Sequence, residues 1–277
     1  MPRADAGVTG GPTGDFLWGI ERETHRVEAS GALSRRPHPP ALRQPAFTRD
    51  FAETQLEIVT PPRHSVALAL AALERLTDEA QRVVSPELLW PFSMPPSLPD
   101  EAQIKVADFG ISESGRRARL YREGLALRYG KARQMICGVH VNVSFGQALQ
   151  AAVLREAQPT PEELGGSGPS DAPARPSDAL YLRLARNLYQ DLPVLVLLTG
   201  ASPVRNGGGP HADPEPPAIS HRSGSNGYAR GEFQPFLDLE SLDAYLAGIR
   251  RGLRTESSAF SQLGLVRAGR VVQLKYF

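Results

Sequence analysis

The chain has 277 residues, of which 41% are hydrophobic and 22% are charged, and its formal net charge is +1. This is the composition of an ordinary globular protein with a sizeable core, and the near-neutral charge gives no electrostatic reason to expect nucleic acid or a membrane as a partner. No apolar run is long enough for a membrane span or a signal peptide, and the single cysteine, Cys137, cannot form an internal disulfide. We therefore expect a cytoplasmic protein.

The distribution of glycine, proline and aliphatic residues predicts how the chain is divided. Residues 1–14 have no hydrophobic period and are expected to be a disordered leader. Residues 15–277 are expected to form a single domain, with flexible insertions at 158–176 and 205–217 where aliphatic residues are nearly absent. The last residues, 270–277, have the pattern of an apolar strand that stops without a turn, which favours a chain that is incomplete at its C-terminus.

Three segments have the period of two that is typical of strands, namely residues 16–27, 51–60 and 135–145. If they are neighbours in one sheet, their polar side chains share its front and their apolar side chains form its back. The residues expected on the front are Glu21, Glu23 and His25 of the first segment, Phe51, Glu53, Gln55 and Glu57 of the second, and Gly138, His140, Asn142 and Ser144 of the third.

Four further segments have helical spacing. Ser65 is placed to cap the first helix, and residues 114–129 predict a second that is rich in arginine. Leucines spaced by four from Leu180 predict a third, which Pro193 would kink or end, and Ser241 precedes an amphipathic fourth. The apolar positions of the first helix are Leu70, Leu73, Leu76, Ala80 and Val83. The predicted fold is α+β, a curved and mainly antiparallel sheet with an acidic concave face and with helices packed on the other side.

Carboxylates crowded on one face repel each other unless cations lie between them, so this pattern predicts bound divalent metal. Two acids would be enough for glycoside hydrolysis, and four acids with His140 are more than that reaction needs. Zinc is disfavoured because the chain lacks the histidine and cysteine motifs that are typical of zinc sites. Oxygen-rich ligand sets favour Mg²⁺ or Mn²⁺, which commonly bind the phosphates of a nucleotide. The triplet Asp108-Phe109-Gly110 occurs in protein kinases, but the other kinase motifs are missing.

Beyond these patterns, the sequence resembles the proteobacterial type of glutamate–cysteine ligase, within the glutamine synthetase-like carboxylate–amine ligases. The matching motifs follow the family's order between about residues 16 and 260. They are Gly19-Ile20-Glu21-Arg22-Glu23-Thr24, Asp50-Phe51 through Glu57 to Thr60, Trp90-Pro91 with Ser93-Met94-Pro95, Ser114-Gly115, Leu120-Tyr121-Arg122-Glu123-Gly124-Leu125, Arg128-Tyr129-Gly130, Gly138-Val139-His140 with Asn142, and Gly200-Ala201-Ser202-Pro203.

The resemblance implies the first step of glutathione biosynthesis, in which ATP phosphorylates the γ-carboxylate of glutamate and the amine of cysteine then attacks the acyl phosphate. It also implies Mg²⁺, or Mn²⁺, as the cofactor and ATP as a co-substrate. The implied metal ligands are Glu21, Glu23, Glu57 and His140, with Glu53 as a neighbour. The implied cysteine pocket is formed by Phe51, Tyr121, Leu125 and Tyr228, with Asn142 as a further substrate-binding residue. Arg122 and Arg222 are the implied catalytic contacts to phosphate or to a substrate carboxylate.

Two alternatives remain open at this point. The family continues past the length of this chain, so a short, non-catalytic homologue could act as a binding or regulatory subunit. A ligase that keeps the mechanism but joins glutamate to a different amine is the other alternative.

Overall fold

The computed structural model describes residues 16–158, 160, 176–200, 237–255, 266–267 and 270–271. The expected leader and the interiors of both expected insertions lie outside these residues, as do Arg222 and Tyr228. The described strands are β1 (Phe16–Val27), β2 (Phe47–Arg49), β3 (Gln55–Val59), β4 (Leu88–Leu89), β5 (Val139–Phe145), β6 (Val266–Arg267) and β7 (Arg270–Val271). The described α-helices are α1 (Val66–Val84), α2 (Glu113–Tyr129), α3 (Gln147–Ala157), α4 (Pro176–Thr199) and α5 (Leu242–Gly252).

The long strand β1 organises the main sheet. It pairs antiparallel with β3 along one edge and with β5 along the other, and Glu21 and Arg22 have cross-strand partners in both. The last two residues of β1 pair with β4, and β2 continues the sheet beyond β3. The expectation that the three polar-faced segments are neighbours in an antiparallel sheet is therefore confirmed.

The back of this sheet is covered by α1. Leu56 and Ile58 of β3 are fully buried and pack in one cluster with Leu76, Ala80 and Val84 of the helix. The helix begins after Ser65, whose side chain accepts a hydrogen bond from the backbone N–H of Leu68 at 3.2 Å, as the capping pattern predicts. Together these contacts fix which face of the sheet is left open to carry polar residues.

One expected core position of α1 differs from the structure. Leu70 is 48% exposed, because the buried stripe of α1 runs through Ala69 and Ala72, which bring the helix close to the sheet. Pro193 lies inside α4 and does not end it, since the helix continues to Thr199.

The second and third expected strands are shorter than the alternating pattern suggested. Residues 53 and 54 form a turn, so regular pairing in β3 starts only at Gln55. Met135 ends a 3₁₀-helix, Ala132–Met135, and β5 starts at Val139. The valine side of β5 is not buried by the described residues, since Val139 is 61% and Val141 is 58% exposed.

No helix among the described residues has both the length and the apolar character that crossing a membrane would require.

Candidate active site

The candidate site lies on the front of the sheet, where β3, β1 and β5 run side by side. Glu23 is the cross-strand partner of Glu57, and Glu21 is the cross-strand partner of His140. Because side chains alternate along a strand, all four project from the same face. We call these four residues, Glu21, Glu23, Glu57 and His140, the acidic face.

His140 links the two carboxylates of β1. Its Nδ1 lies 3.2 Å from Oε2 of Glu21, and its Nε2 lies 3.8 Å from Oε1 of Glu23. The other oxygen of Glu21 accepts a 3.0 Å hydrogen bond from Nδ2 of Asn142, and Oε2 of Glu23 accepts a 2.7 Å hydrogen bond from the backbone N–H of Gly138. These contacts orient the carboxylates, and Glu23 is buried while His140 remains open to solvent.

The charges on the acidic face perturb the carboxyl group of Glu57. Burial, with further contributions from the nearby carboxylates of Asp50, Glu23 and Glu21, raises the pKa of Glu57 from 4.5 to about 7, and Arg122 opposes the rise. Burial and neighbouring anions both disfavour the ionised form of a carboxyl group, and a nearby cation would favour it. The electrostatics therefore favour a cation at this face.

Asp50 is a site residue that the alternating pattern missed. Strict alternation from Phe51 to Glu57 would place Asp50 on the opposite face. The chain turns at residues 53 and 54, however, and Asp50 follows β2 two residues after Thr48, the cross-strand partner of Glu57. Among the charged groups, Asp50 contributes most to the raised pKa of Glu57. The motif Asp50-Phe51 contained this residue, and only the turn reveals that its carboxylate acts on the acidic face.

Arg122 extends from α2 towards the same region. Its Nε donates to the backbone oxygen of Asp50, its Nη2 donates to the backbone oxygen of Arg49 at 3.3 Å, and its Nη1 donates to that of Ala118 at 3.1 Å. The guanidinium Cζ lies 4.1 Å from the centroid of the Phe109 ring. Burial lowers the pKa of Arg122, whereas the charges of Asp50 and Glu57 favour its protonated form.

The residues expected to form a cysteine pocket are only partly brought together by the described residues. Phe51 is 1% exposed and lies in a core cluster against which Leu125 of α2 packs. Tyr121, also on α2, is 52% exposed, so its ring is available to a ligand. Tyr228, the fourth expected pocket residue, lies outside the described part of the chain. The same is true of Arg222, which was expected to be catalytic.

Glu53 was expected on the shared face, and the structure places it elsewhere. It stands in the turn before β3, and its two carboxylate oxygens accept hydrogen bonds from the backbone N–H groups of His38 and Asp108, each at 2.8 Å. His25 and Gln55 are fully buried, and they are hydrogen-bonded to the segment before β5 through the backbone oxygens of Met135 and Gln134. Alternation gave the correct faces within β1 but not across the turn.

The donor set of the acidic face suits a hard divalent cation, because carboxylate oxygens with one imidazole are ligands that Mg²⁺ and Mn²⁺ accept. Within the part of the chain that the structure describes, no three acidic, histidine or cysteine side chains are grouped closely enough to hold one ion as they stand. The carboxylate of Glu21 is hydrogen-bonded to His140 and Asn142, and that of Glu23 is hydrogen-bonded to the backbone N–H of Gly138. The donor chemistry fits a metal, and binding one requires these side chains to exchange partners.

Two solved structures have a fold similar to that of this chain. The structure of a glutamate–cysteine ligase from Francisella tularensis in complex with AMP is similar, with a TM-score of 0.74 and 27% identity over 92% of this chain and 51% of that one. A bifunctional glutathione synthetase from Pasteurella multocida is also similar, with a TM-score of 0.71 and 27% identity over 88% of this chain and 31% of that one.

Sequence comparison identifies the family. Residues 13–276 match the family model described as glutamate-cysteine ligase, and the chain belongs to this family. Glutamate–cysteine ligase from Clostridium acetobutylicum is 34% identical over 93% of this chain and 56% of its own length. The Janthinobacterium enzyme of the same name is 37% identical over 92% of this chain and 50% of its own length. The chain thus spans about half the length of the curated relatives it matches.

Proposed function

We propose that this chain carries the acidic half of an ATP-dependent ligase site that joins the γ-carboxylate of glutamate to the amine of cysteine. The observation that carries the proposal is the convergence of Glu21, Glu23, Glu57 and His140 on one sheet face in a member of the glutamate–cysteine ligase family. The AMP bound to the Francisella relative supports a nucleotide as one of the substrates. A peptide bond cannot form from a free carboxylate without activation, and ATP provides that activation.

The proposed reaction has two steps. The γ-carboxylate oxygen of glutamate takes the terminal phosphoryl group of ATP, and ADP leaves. The amine nitrogen of cysteine then attacks the carbonyl carbon, the bond to the phosphate oxygen breaks, and the amine loses a proton. Negative charge is spread over the phosphoryl oxygens in the first step, so the site must supply positive charge there.

The acidic face would hold Mg²⁺ or Mn²⁺ through Glu21, Glu23, Glu57 and His140, and such an ion would neutralise phosphate charge. Asn142 would keep the carboxylate of Glu21 oriented, since it already donates to that group at 3.0 Å. Glu53 lies outside the proposed ligand set, because its oxygens accept backbone N–H groups that are fixed in other segments. The partners of Glu21 are side chains, which can exchange for a metal ion.

Two arginines would complete the charge balance around the phosphoryl group. Arg122 interacts electrostatically with Asp50 and Glu57, so its positive charge would act on a substrate anion bound at the acidic face. Arg222 is proposed for a second contact to phosphate or to a substrate carboxylate, on the strength of the motif alone. A planar guanidinium suits both kinds of anion because it can donate two parallel hydrogen bonds.

The first prediction tests the reaction itself. ADP release by the purified chain is expected to require ATP, Mg²⁺, glutamate and cysteine together, and to be lost when any one is omitted. The measurement is a coupled ADP assay with each component left out in turn, and Glu21→Gln serves as the inactive control. A well-folded chain that binds ATP and glutamate but releases no ADP would contradict catalysis by these 277 residues alone, and would fit either a site that is incomplete in this chain or a non-catalytic homologue.

The second prediction tests the choice of the amine substrate. Tyr121→Ala is expected to raise the KM for cysteine about tenfold while leaving the KM for ATP unchanged, because loss of an aromatic contact is worth about 1.4 kcal/mol. Tyr189→Ala is the matched control, since Tyr189 is 51% exposed on α4 and Tyr121 is 52% exposed on α2. Unchanged discrimination between cysteine and other amino acids in Tyr121→Ala would remove the pocket assignment.

A further inference from the structure

Glu53 joins two loops that are distant along the chain. Oε1 accepts the backbone N–H of His38 and Oε2 accepts the backbone N–H of Asp108, both at 2.8 Å, across sequence separations of 15 and 55 residues. Hydrogen bonds to an ionised carboxylate are roughly twice as strong as neutral ones. One side chain thus fixes the relative position of three segments.

The backbone around Glu53 strengthens this connection. Its N–H donates to the backbone oxygen of Lys105 at 3.0 Å, and the N–H of Ala107 donates to the backbone oxygen of Phe51 at 2.9 Å. The backbone oxygen of Glu53 accepts from Nη2 of Arg26, a fully buried side chain, at 2.9 Å. These hydrogen bonds attach the segment that includes Asp108 to the segment around Glu53, which is itself bonded to the core. The position of Asp108 is therefore fixed.

The residue after Asp108 is Phe109, whose ring faces two guanidinium groups. Cζ of Arg122 lies 4.1 Å and Cζ of Arg49 lies 5.1 Å from the ring centroid. Among the described residues, Nε and Nη1 of Arg49 are buried and have no hydrogen-bond partner. The carboxylate of Glu53 is the charge that most favours the protonated form of Arg49. Glu53 thus acts on both sides of this aromatic contact, through the backbone of Asp108 and through the charge on Arg49.

We propose that Glu53 is a positioning residue, which holds Phe109 against the guanidinium of Arg122 and so fixes where that positive charge stands beside the acidic face. The chain of contacts runs from the Glu53 carboxylate to the N–H of Asp108, then to the Phe109 ring and to Arg122. The inference rests on the proposed function only in giving Arg122 a catalytic role. The contacts themselves do not depend on that role.

The test follows the Nε–H resonance of Arg122 in the ¹⁵N-labelled chain, assigned by its loss in Arg122→Lys. The ring current of Phe109 is expected to displace this resonance in the wild type, and Phe109→Leu should remove the displacement. Glu53→Gln should remove most of it too, because one amide oxygen cannot accept both N–H groups and the amide NH₂ faces a donor. In the Phe109→Leu background, Glu53→Gln should cause no further change, as expected for residues that act in series.

Glu101→Gln is the matched control, because Oε1 of Glu101 also accepts a backbone N–H from another loop, that of Ala132 at 3.2 Å. It should leave the Arg122 resonance in place.

Glu53→Gln should also keep the affinity for Mn²⁺ within about twofold of the wild type, since the carboxylate of Glu53 is not one of the proposed metal ligands. An unmoved Arg122 resonance in Glu53→Gln would overturn the proposal, and so would a tenfold loss of Mn²⁺ affinity in that variant. The resonance is read without turnover, so a chain that releases no ADP leaves this test intact.

Discussion

Replacing Glu57 with glutamine is expected to stabilise the metal-free protein at pH 8 and at the same time to destroy its affinity for divalent metal. The pKa of Glu57 is raised from 4.5 to about 7, so the folded chain holds this proton more tightly than the unfolded chain does. The stability due to the protonated form is therefore fully present below about pH 4.5 and is lost as the pH rises to about 7. Glutamine stays neutral throughout that range.

The size of the gain in stability follows from the shift after allowance for solvent. Because Glu57 is only partly buried, water screens its repulsion from Asp50, Glu23 and Glu21, and the gain at pH 8 is expected to be roughly 1 kcal/mol. Urea unfolding at pH 4 and at pH 8 measures it, and the difference between the wild type and Glu57→Gln should vanish at the lower pH. Exposed Glu74→Gln on α1 is the control and should show no such dependence.

The metal-binding side of the same variant should change in the opposite direction. Loss of a group that merely orients a ligand already costs 10–100-fold in metal affinity, so removal of a proposed ligand should cost at least about 100-fold. Titration with Mn²⁺ followed by electron paramagnetic resonance gives the dissociation constant directly. Wild-type Mn²⁺ affinity in Glu57→Gln would remove Glu57 from the proposed ligands, whatever the result of the unfolding experiment.

Replacing Glu87 with alanine is expected to destabilise the fold by about 3–5 kcal/mol, because it leaves a buried arginine without its counter-charge. The side chain of Arg26 is 0% exposed and that of Glu87 is 4% exposed, and Nη1 of Arg26 donates to Oε2 of Glu87 at 2.9 Å. Ser34 completes the network by donating to Oε1 of Glu87 at 2.6 Å. A domain is typically stable by about 5–15 kcal/mol, so this loss is a large fraction of the total.

Chemical unfolding of Glu87→Ala and Glu87→Gln should give different losses. Glutamine keeps an oxygen that can accept from Arg26 or Ser34, so its loss should be the smaller. The matched control is Glu113→Gln, which removes an exposed ion pair with Arg117 at 2.6 Å and should cost less than about 1 kcal/mol. Equal losses in Glu87→Ala and Glu113→Gln would show that burial of the Arg26 charge is not what makes this pair important.

Much of the sheet could be predicted from local patterns. The bounds of β1 were correct, and the period of two placed Glu21 and Glu23 together on the front. Ser65 and Ser241 both cap helices as expected, since a capping side chain acts on the backbone only three residues further on. Each of these features depends on near neighbours in the sequence, which is why the sequence is sufficient to find it.

The acidic face was also predictable in outline, because two of its strands alternate without interruption. Glu23 and Glu57 were expected on one face, and the register places them directly opposite each other. Asp50 could not be found in this way. Its position depends on the turn at residues 53 and 54, and a one-residue change of phase moves a side chain to the other face of a strand.

The sequence by itself determined the family, the central strand and most of the polar residues that line the candidate site. Only the tertiary structure decided the role of Glu53, because its partners are backbone N–H groups of His38 and Asp108, and a backbone donor leaves no trace in residue type. The same holds for Arg122, whose place depends on carbonyl groups and a ring contributed by other segments. Residue types record which charges a site contains, whereas long-range backbone contacts determine where those charges stand.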